Sequence, residues 1–407
     1  MKLIDQYRGL RKEIYVLGIC ELIDCAGSMV GPLLTLILSS KLGMDASAIA
    51  LYFLIYTVLS LPIHLLGGKL TDRMNKKLLI NICDITTSVI YIICGLAGIN
   101  KVTITCYLFG SLLQAAESPA YQTLTADFTT SADRDKAYSL HYLAMNLGMV
   151  LAPTLGGLLM KDHLGFMFVL SGCVQLLSIL IFDLFVKDMS AVKDSENKYE
   201  EESSSGNVIR VLMENRALIP FVLIYAFSML FYGMYGYLMP LSFTAVHGDV
   251  GSVLYGTVSS LNCVTVLVFT AALTAMFAKR TSIDKMIWGN AFEVFGMLMI
   301  FLFLGTPVVY YIAIVIFTFG EILNTTTTSP HLTRRIPANF RGRIMAVASV
   351  FVDLVMSAGE FAVGKVYDNV NPEAAWISVL CLGAATIAGY ILLKKPDRKA
   401  YPELYKE

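Results

Sequence analysis

Apolar residues run along this chain in long blocks, each closed by a short polar or charged stretch. The blocks fall near 14–39, 46–68, 78–98, 103–127, 137–160 and 165–186, and again near 217–242, 251–278, 284–304, 308–331, 342–366 and 373–394. A helix needs about 20 apolar residues to cross the hydrocarbon of a bilayer. The pattern therefore predicts an all-α membrane protein with twelve transmembrane helices in two groups of six. One long polar stretch separates the groups, with Glu200-Glu201-Glu202-Ser203-Ser204-Ser205-Gly206 at its centre. It predicts three parts: a six-helix bundle over 1–186, a cytoplasmic linker over 187–216, and a second six-helix bundle with a short tail over 217–407. The linker composition is that of a flexible tether. Val208, Ile209, Val211 and Leu212 are spaced for a short helix on the membrane surface.

Charge placement supports the span count independently. With both termini cytoplasmic, 27 of the 31 Lys and Arg residues fall on the inner side, leaving only Lys41, Lys101, Lys161 and Lys365 outside. Cytoplasmic loops of membrane proteins carry this excess of bases, and an odd number of spans would scramble it. The expected location is the cell membrane. Bulk composition agrees: hydrophobic residues make up 56% of 407 and charged residues 15%, against about 25% charge in a soluble domain. Acids and bases balance at 31 each, so no nucleic-acid partner is implied. The eight cysteines lie inside apolar blocks without paired spacing, as small buried hydrophobes rather than disulfide or zinc ligands. The first block follows Lys2, Arg8, Arg11 and Lys12, contains acids, and is too long for a cleavable signal core, so it should remain as an anchor. The sequence contains no phosphate loop, dinucleotide fingerprint, HExxH or Cys/His metal cluster; it predicts no enzyme, no cofactor and no metal site.

Between the second and third blocks stands Gly67-Gly68-Lys69-Leu70-Thr71-Asp72-Arg73-Met74-Asn75-Lys76-Lys77. The order glycine, spacer, Leu, spacer, Asp-Arg, two spacers and two bases resembles the loop between helices 2 and 3 of the major facilitator superfamily. The departures are Asn75, where a second glycine is usual, and Lys76, where arginine is commoner. In the fifth block, Gly148, Pro153, Gly156 and Gly157 resemble the span-5 signature of the superfamily's exporters, with Ala152 in place of one glycine. The twelve-span drug:proton antiporter branch fits best. The resemblance implies two pseudo-symmetric six-helix bundles, with spans 1, 4, 7 and 10 lining a cavity. An internal repeat is faintly visible: setting Arg134 over Arg341 also sets Gln114 over Glu321 and Glu117 over Asn324. The same resemblance implies a cytoplasmic gate of Gly68, Asp72, Arg73, Lys76, Asp127 and Arg341. In it Asp72 faces the N-terminus of span 11, and Arg73 and Lys76 reach Asp127.

Ionisable residues inside the blocks are the candidates for chemistry, because a charge at the bilayer centre costs at least ~3 kcal/mol and tends to face a cavity or a partner. Glu21 and Asp24 are three apart and share a helix face, where mutual repulsion favours holding a proton. Glu321 and Glu117 sit near the middle of spans 10 and 4. These four are the expected proton or cation sites. Asp353 and Glu360 are weaker candidates; Asp84 and Glu293, in spans the family keeps peripheral, read as helix-packing hydrogen bonds. His64 reads as a packed neutral histidine. Span 7 crowds Phe231, Tyr232, Tyr235 and Met239 together with further aromatic and Met residues, a surface that accepts varied apolar shapes. With Gln114, Tyr121, His141, Asn146 and Asn324, they form the expected substrate cavity.

The function expected is proton-coupled export of small hydrophobic or cationic compounds by alternating access, through a monomer whose partners are a small-molecule substrate, protons and the lipid bilayer. A proton-coupled nutrient symporter, a lipid or glycolipid flippase, and a non-transporting membrane sensor are the alternatives.

Overall fold

A computed structural model describes residues 9–130, 133–187, 218–336 and 341–405; the linker and its surface segment lie outside them. Every regular element among the described residues is helical. In chain order the α-helices are α1 Lys12–Gly27, α2 Val30–Leu36, α3 Ala46–Arg73, α4 Lys76–Ala97, α5 Lys101–Asp127, α6 Arg134–Asp162 and α7 Leu164–Phe185. They continue as α8 Leu218–Gly233, α9 Leu238–His247, α10 Val250–Met276, α11 Ser282–Leu302, α12 Pro307–Thr333, α13 Arg341–Asn369 and α14 Pro372–Ala400. Joined across short breaks, α1–α2 form the first span and α8–α9 the seventh, giving twelve spans.

Eleven of the spans are long and apolar enough to cross a membrane on those criteria alone. The twelfth, α5, is 27 residues long, but Gln114, Glu117, Ser118 and Gln122 interrupt its apolar run. At about 1.5 Å per residue it still reaches across a bilayer.

Two elements differ from the sequence expectation. The basic stretch after span 2 is not an eleven-residue loop, since α3 continues to Arg73 and only Met74 and Asn75 separate it from α4. The side chain of Asn75 accepts from the backbone N–H groups of Lys77 (2.9 Å) and Leu78 (3.3 Å). Asparagine therefore starts the new helix as an N-cap where the superfamily pattern expects glycine. The close approach comes from Gly67, where a Cβ would strike the Ala116 backbone, whereas a Cβ on Gly68 would meet open space. Gly68 thus makes no close helix contact.

The second difference concerns spans 1 and 7, each expected as one continuous helix. Span 1 breaks at Ser28-Met29, and span 7 breaks over Met234–Tyr237. In the register that sets Arg134 over Arg341, these breaks coincide. Broken spans of this kind free backbone groups, which are tolerated in a membrane only beside protein or a polar cavity.

The chain divides into two compact units. Unit 1 contains Met1–Gly43, Ile55–Lys198 and Ser252–Leu267; unit 2 contains Met44–Leu54, Tyr199–Gly251 and Val268–Glu407. In unit 1 the first span packs on the fifth and sixth, and the third on the fourth and sixth. In unit 2 the seventh packs on the eleventh and twelfth, and the ninth on the tenth and twelfth. Packing thus repeats span for span where residue identity barely does.

Small residues set these seams. A Cβ at Gly148 would fall 2.7 Å from Cys25 Cβ on α1, and one at Gly156 2.6 Å from Leu33 on α2. Within the same unit, Gly157 lies against Ser252 and the Pro153 carbonyl against Gly256 on α10. In unit 2, the Asp368 carboxylate caps the start of α3, accepting from Ala46 N (3.0 Å) and Ser47 N (2.7 Å). Tyr237 OH donates to the Ala46 carbonyl at 2.5 Å. At the far end of that unit, Arg335 is held against Asp397 by two hydrogen bonds of 2.8 and 2.5 Å, and Tyr405 donates to the same carboxylate at 2.6 Å.

Candidate functional site

Each unit encloses a cavity of its own. That of unit 1 holds about 520 Å³ and lies among α1, α2, α4, α5, α6 and α7. It collects four carboxyl groups: Glu21 and Asp24 from α1, Asp84 from α4 and Glu117 from α5. Among the described residues neither Lys nor Arg lines it, and His141 is the single basic side chain. Gln114, Tyr121, Tyr91 and Tyr107 complete much of the polar wall.

Asp84 is the most fully bonded of the four. Its two carboxylate oxygens accept from Tyr121 OH at 3.1 Å and from Gln175 Nε2 at 3.0 Å. Glu117 reaches Asp84 within hydrogen-bonding distance, but its own Oε2 finds no partner although the residue is only 6% exposed. Asp24 Oδ2 accepts from Ser178 Oγ at 2.8 Å, while its Oδ1 is buried without a partner. Glu21 accepts from the thiol of Cys25 one turn on. The three-residue spacing of Glu21 and Asp24 on α1 is what turns both into the cavity.

Unit 2 has a smaller cavity of about 240 Å³, among α8, α11, α12 and α14. Glu321 and Glu293 line it with Tyr232 and Asn324. Tyr232 OH donates to Glu321 Oε1 at 3.0 Å. Asn324 Nδ2 donates to Glu293 Oε1 at 2.8 Å, and Asn290 and Ser228 extend the network behind it. Tyr232 and Tyr235 both stack on Phe317, with centroids 5.7 and 5.6 Å apart. Again no Lys or Arg among the described residues lines the space.

Several expected site residues stand elsewhere. Phe231 and Met239 are fully buried and do not line the unit 2 cavity; Phe231 is packed against Gly383. Asn146 is buried and donates at 2.8 Å to the Tyr142 carbonyl of its own helix, so Tyr142 and Met145 face the cavity instead. The physical reason is phase: a helix apolar on all sides gives no stripe from which to read its inward face. The break at Met234–Tyr237 further resets that phase for everything after it. Asp353 is exposed, and Glu360 is buried beside Gly233. His64 is exposed, with Nδ1 3.2 Å from the Ala115 carbonyl, rather than packed inside.

Of the expected gate, Lys76 Nζ lies 2.6 Å from Asp127. Arg73 is exposed, and the side chains of Asp72 and Arg341 lie outside the described ones. Sequence reasoning missed Asp84, Glu293 and Gln175 as cavity residues. A carboxylate mid-span was the available signal for the first two, and the assumption that spans 3 and 9 are peripheral set it aside.

What this arrangement can do is bounded by its charges. A low-dielectric space lined by acids and aromatic rings, with no Lys or Arg among its described lining residues, attracts cations and protons and repels anions.

Comparison with known proteins adds to this geometry. The family model described as Major Facilitator Superfamily matches residues 19–360. The Na(+), Li(+), K(+)/H(+) antiporter of Planococcus maritimus is 20% identical, over 90% of this chain and 91% of its own. The quinolone resistance protein NorA of Staphylococcus aureus is 24% identical over 44% of this chain and 46% of its own. Among solved structures, the peptide transporter POT in complex with sulfate superposes with a TM-score of 0.76 at 17% identity, covering 97% of this chain and 96% of that one. At that identity the likeness shows the fold alone.

Proposed function

The chain belongs to the Major Facilitator Superfamily and is a multi-pass membrane transporter rather than an enzyme; from that premise we propose a proton-coupled antiporter exporting small cationic or hydrophobic compounds by alternating access. The observation that carries this reading is the lining of the two cavities, rich in carboxyl groups and aromatic rings and free of Lys and Arg. Glu321, held by Tyr232 beside the Tyr235–Phe317 stack, is the cargo's counter-charge. Glu21, Asp24 and Glu117 line the cavity in which a proton is exchanged for it. A carboxyl that binds either a proton or a cation, never both, converts a proton gradient into efflux.

The Lys76–Asp127 pair is read as part of the latch on the cytoplasmic side, with both termini on that side and residues 187–216 as the tether between halves. A partly buried pair at the wet edge of the membrane is worth ~1 kcal/mol, enough to bias a balanced equilibrium without freezing it. The P. maritimus relative, which matches over nearly its whole length, supports a second reading in which the cargo is Na⁺, Li⁺ or K⁺. Everted vesicles expressing the protein test both. Ethidium-like dyes that accumulate only with an inward-acidic gradient support the first reading, and pH-gradient collapse on adding alkali cations supports the second. Unchanged flux in Glu321→Gln would favour a non-transporting sensor.

A further inference from the structure

We propose that the exchanged proton is held jointly by Asp84 and Glu117, and that the second unit makes a similar contact, between Asn324 and Glu293, through an amide N–H that needs no shared proton. The inference rests on the antiport reading and names the group within it that binds the proton.

Asp84 and Glu117 lie within hydrogen-bonding distance of each other in the unit 1 cavity. Two carboxylates cannot hydrogen-bond, because neither has a donor; the contact requires one proton between them. Asp84 already accepts from Tyr121 and Gln175, one donor on each oxygen, which is the environment of an anion. Glu117 is therefore the donor. Its second oxygen is buried, bonded to nothing, and borders the cavity from which the proton would leave.

The second unit makes a similar contact from one matching position: the register sets Ala291 over Asp84, and the acid stands two residues on, at Glu293. The register of the internal repeat places Asn324 where Glu117 stands, and Asn324 likewise reaches across to a buried acid on the preceding span, Glu293, at 2.8 Å. An amide carries its own N–H donor. The same contact is thus made without a proton, and the copy in unit 2 does not change charge through it.

The groups around Asp84 and Glu117 agree. Asp24 and Glu21 face them from α1 with Cys20, Cys83 and Tyr121 stand alongside, and His141 faces in from α6. No Lys or Arg lines this cavity to supply a fixed positive charge. When the proton leaves to water, the pair carries two negative charges, and a cation entering the cavity offsets the one newly exposed.

Infrared difference spectroscopy on the purified full-length protein reads this directly, since protonated carboxyls show a carbonyl stretch that carboxylates lack. Between acidic and alkaline buffer, Asp84→Asn and Glu117→Gln should each lose one carboxyl's share of that band, because each recreates the amide–acid pair of unit 2. Asn324→Glu, which builds an acid pair in unit 2, should add one share. A band undiminished in either unit 1 variant overturns the proposal, since a jointly held proton is lost with either partner. Should Asp84→Asn fail to fold, Glu117→Asn makes the same reading. The measurement needs no transport: a band that behaves as stated without coupled flux sinks the antiport reading alone. Coupled flux with an unchanged band sinks the shared proton alone.

Discussion

At the scale of single residues, Tyr232 and Glu321 make the sharpest prediction. The hydroxyl of Tyr232 is the donor to the carboxylate proposed to meet the cargo. A hydrogen bond to a charged group is worth ~1.5–3 kcal/mol, so Tyr232→Phe should weaken apparent affinity for a cationic dye about tenfold or more while leaving the ring stack in place. Glu321→Gln should abolish gradient-driven transport of cations and spare expression level; dye accumulation in everted vesicles measures the first and an immunoblot of the same membranes the second. Their place beside a cavity was legible in the sequence, because a glutamate flanked by Gly320 and Ile322 in the middle of an apolar block tends to face a cavity or a partner. Asp84 and Glu293 were equally conspicuous but were assigned to packing. Both do pack, each bonded to a neighbouring span; the error was to treat packing and cavity lining as exclusive. The burial of Phe231 and Met239 could not be read, since neither an all-apolar helix nor its internal break announces which side faces inward.

At the scale of elements, seams and caps carry the predictions. Gly148 admits α1 to α6 so closely that a side chain of any size must displace backbone or Cys25. Gly148→Leu should cost roughly 1–3 kcal/mol through overpacking, read as a lowered thermal transition in detergent. Asp368 caps the 28-residue α3, and Asp368→Ala should cost about 1 kcal/mol by removing two acceptors from a helix N-terminus. Arg335 and Asp397 are buried together, so Arg335→Ala leaves a carboxylate unpaired and should cost ~3–5 kcal/mol, far more than either. Burial, with the adjoining Asp397, raises the Tyr405 phenol above its ordinary value. Its contact is therefore present below about pH 10 and is lost as pH climbs through the raised value, which absorbance titration of the C-terminal tyrosines would follow. Boundaries of the twelve spans were readable within a few residues. The extension of α3 to Arg73 was not, because glycines and charges ordinarily end a helix, and here Asn75 places the stop further on.

At the scale of the whole molecule, the repeat is a matter of packing rather than spelling. Span pairs recur between units, and both leading spans break at matching positions, although the aligned residues seldom agree. Where they disagree at the cavity, acid against amide, the two units differ in what they can titrate.

That difference bears on membrane voltage. Moving one elementary charge across 100 mV is worth about 2.3 kcal/mol. If the acid pair of unit 1 yields one proton per cycle and the cargo carries one positive charge, the exchange moves no net charge. Efflux of a monovalent dye should then ignore a potassium–valinomycin potential and follow the pH difference alone. A divalent cargo, leaving against a single proton, would feel the full electrical gradient.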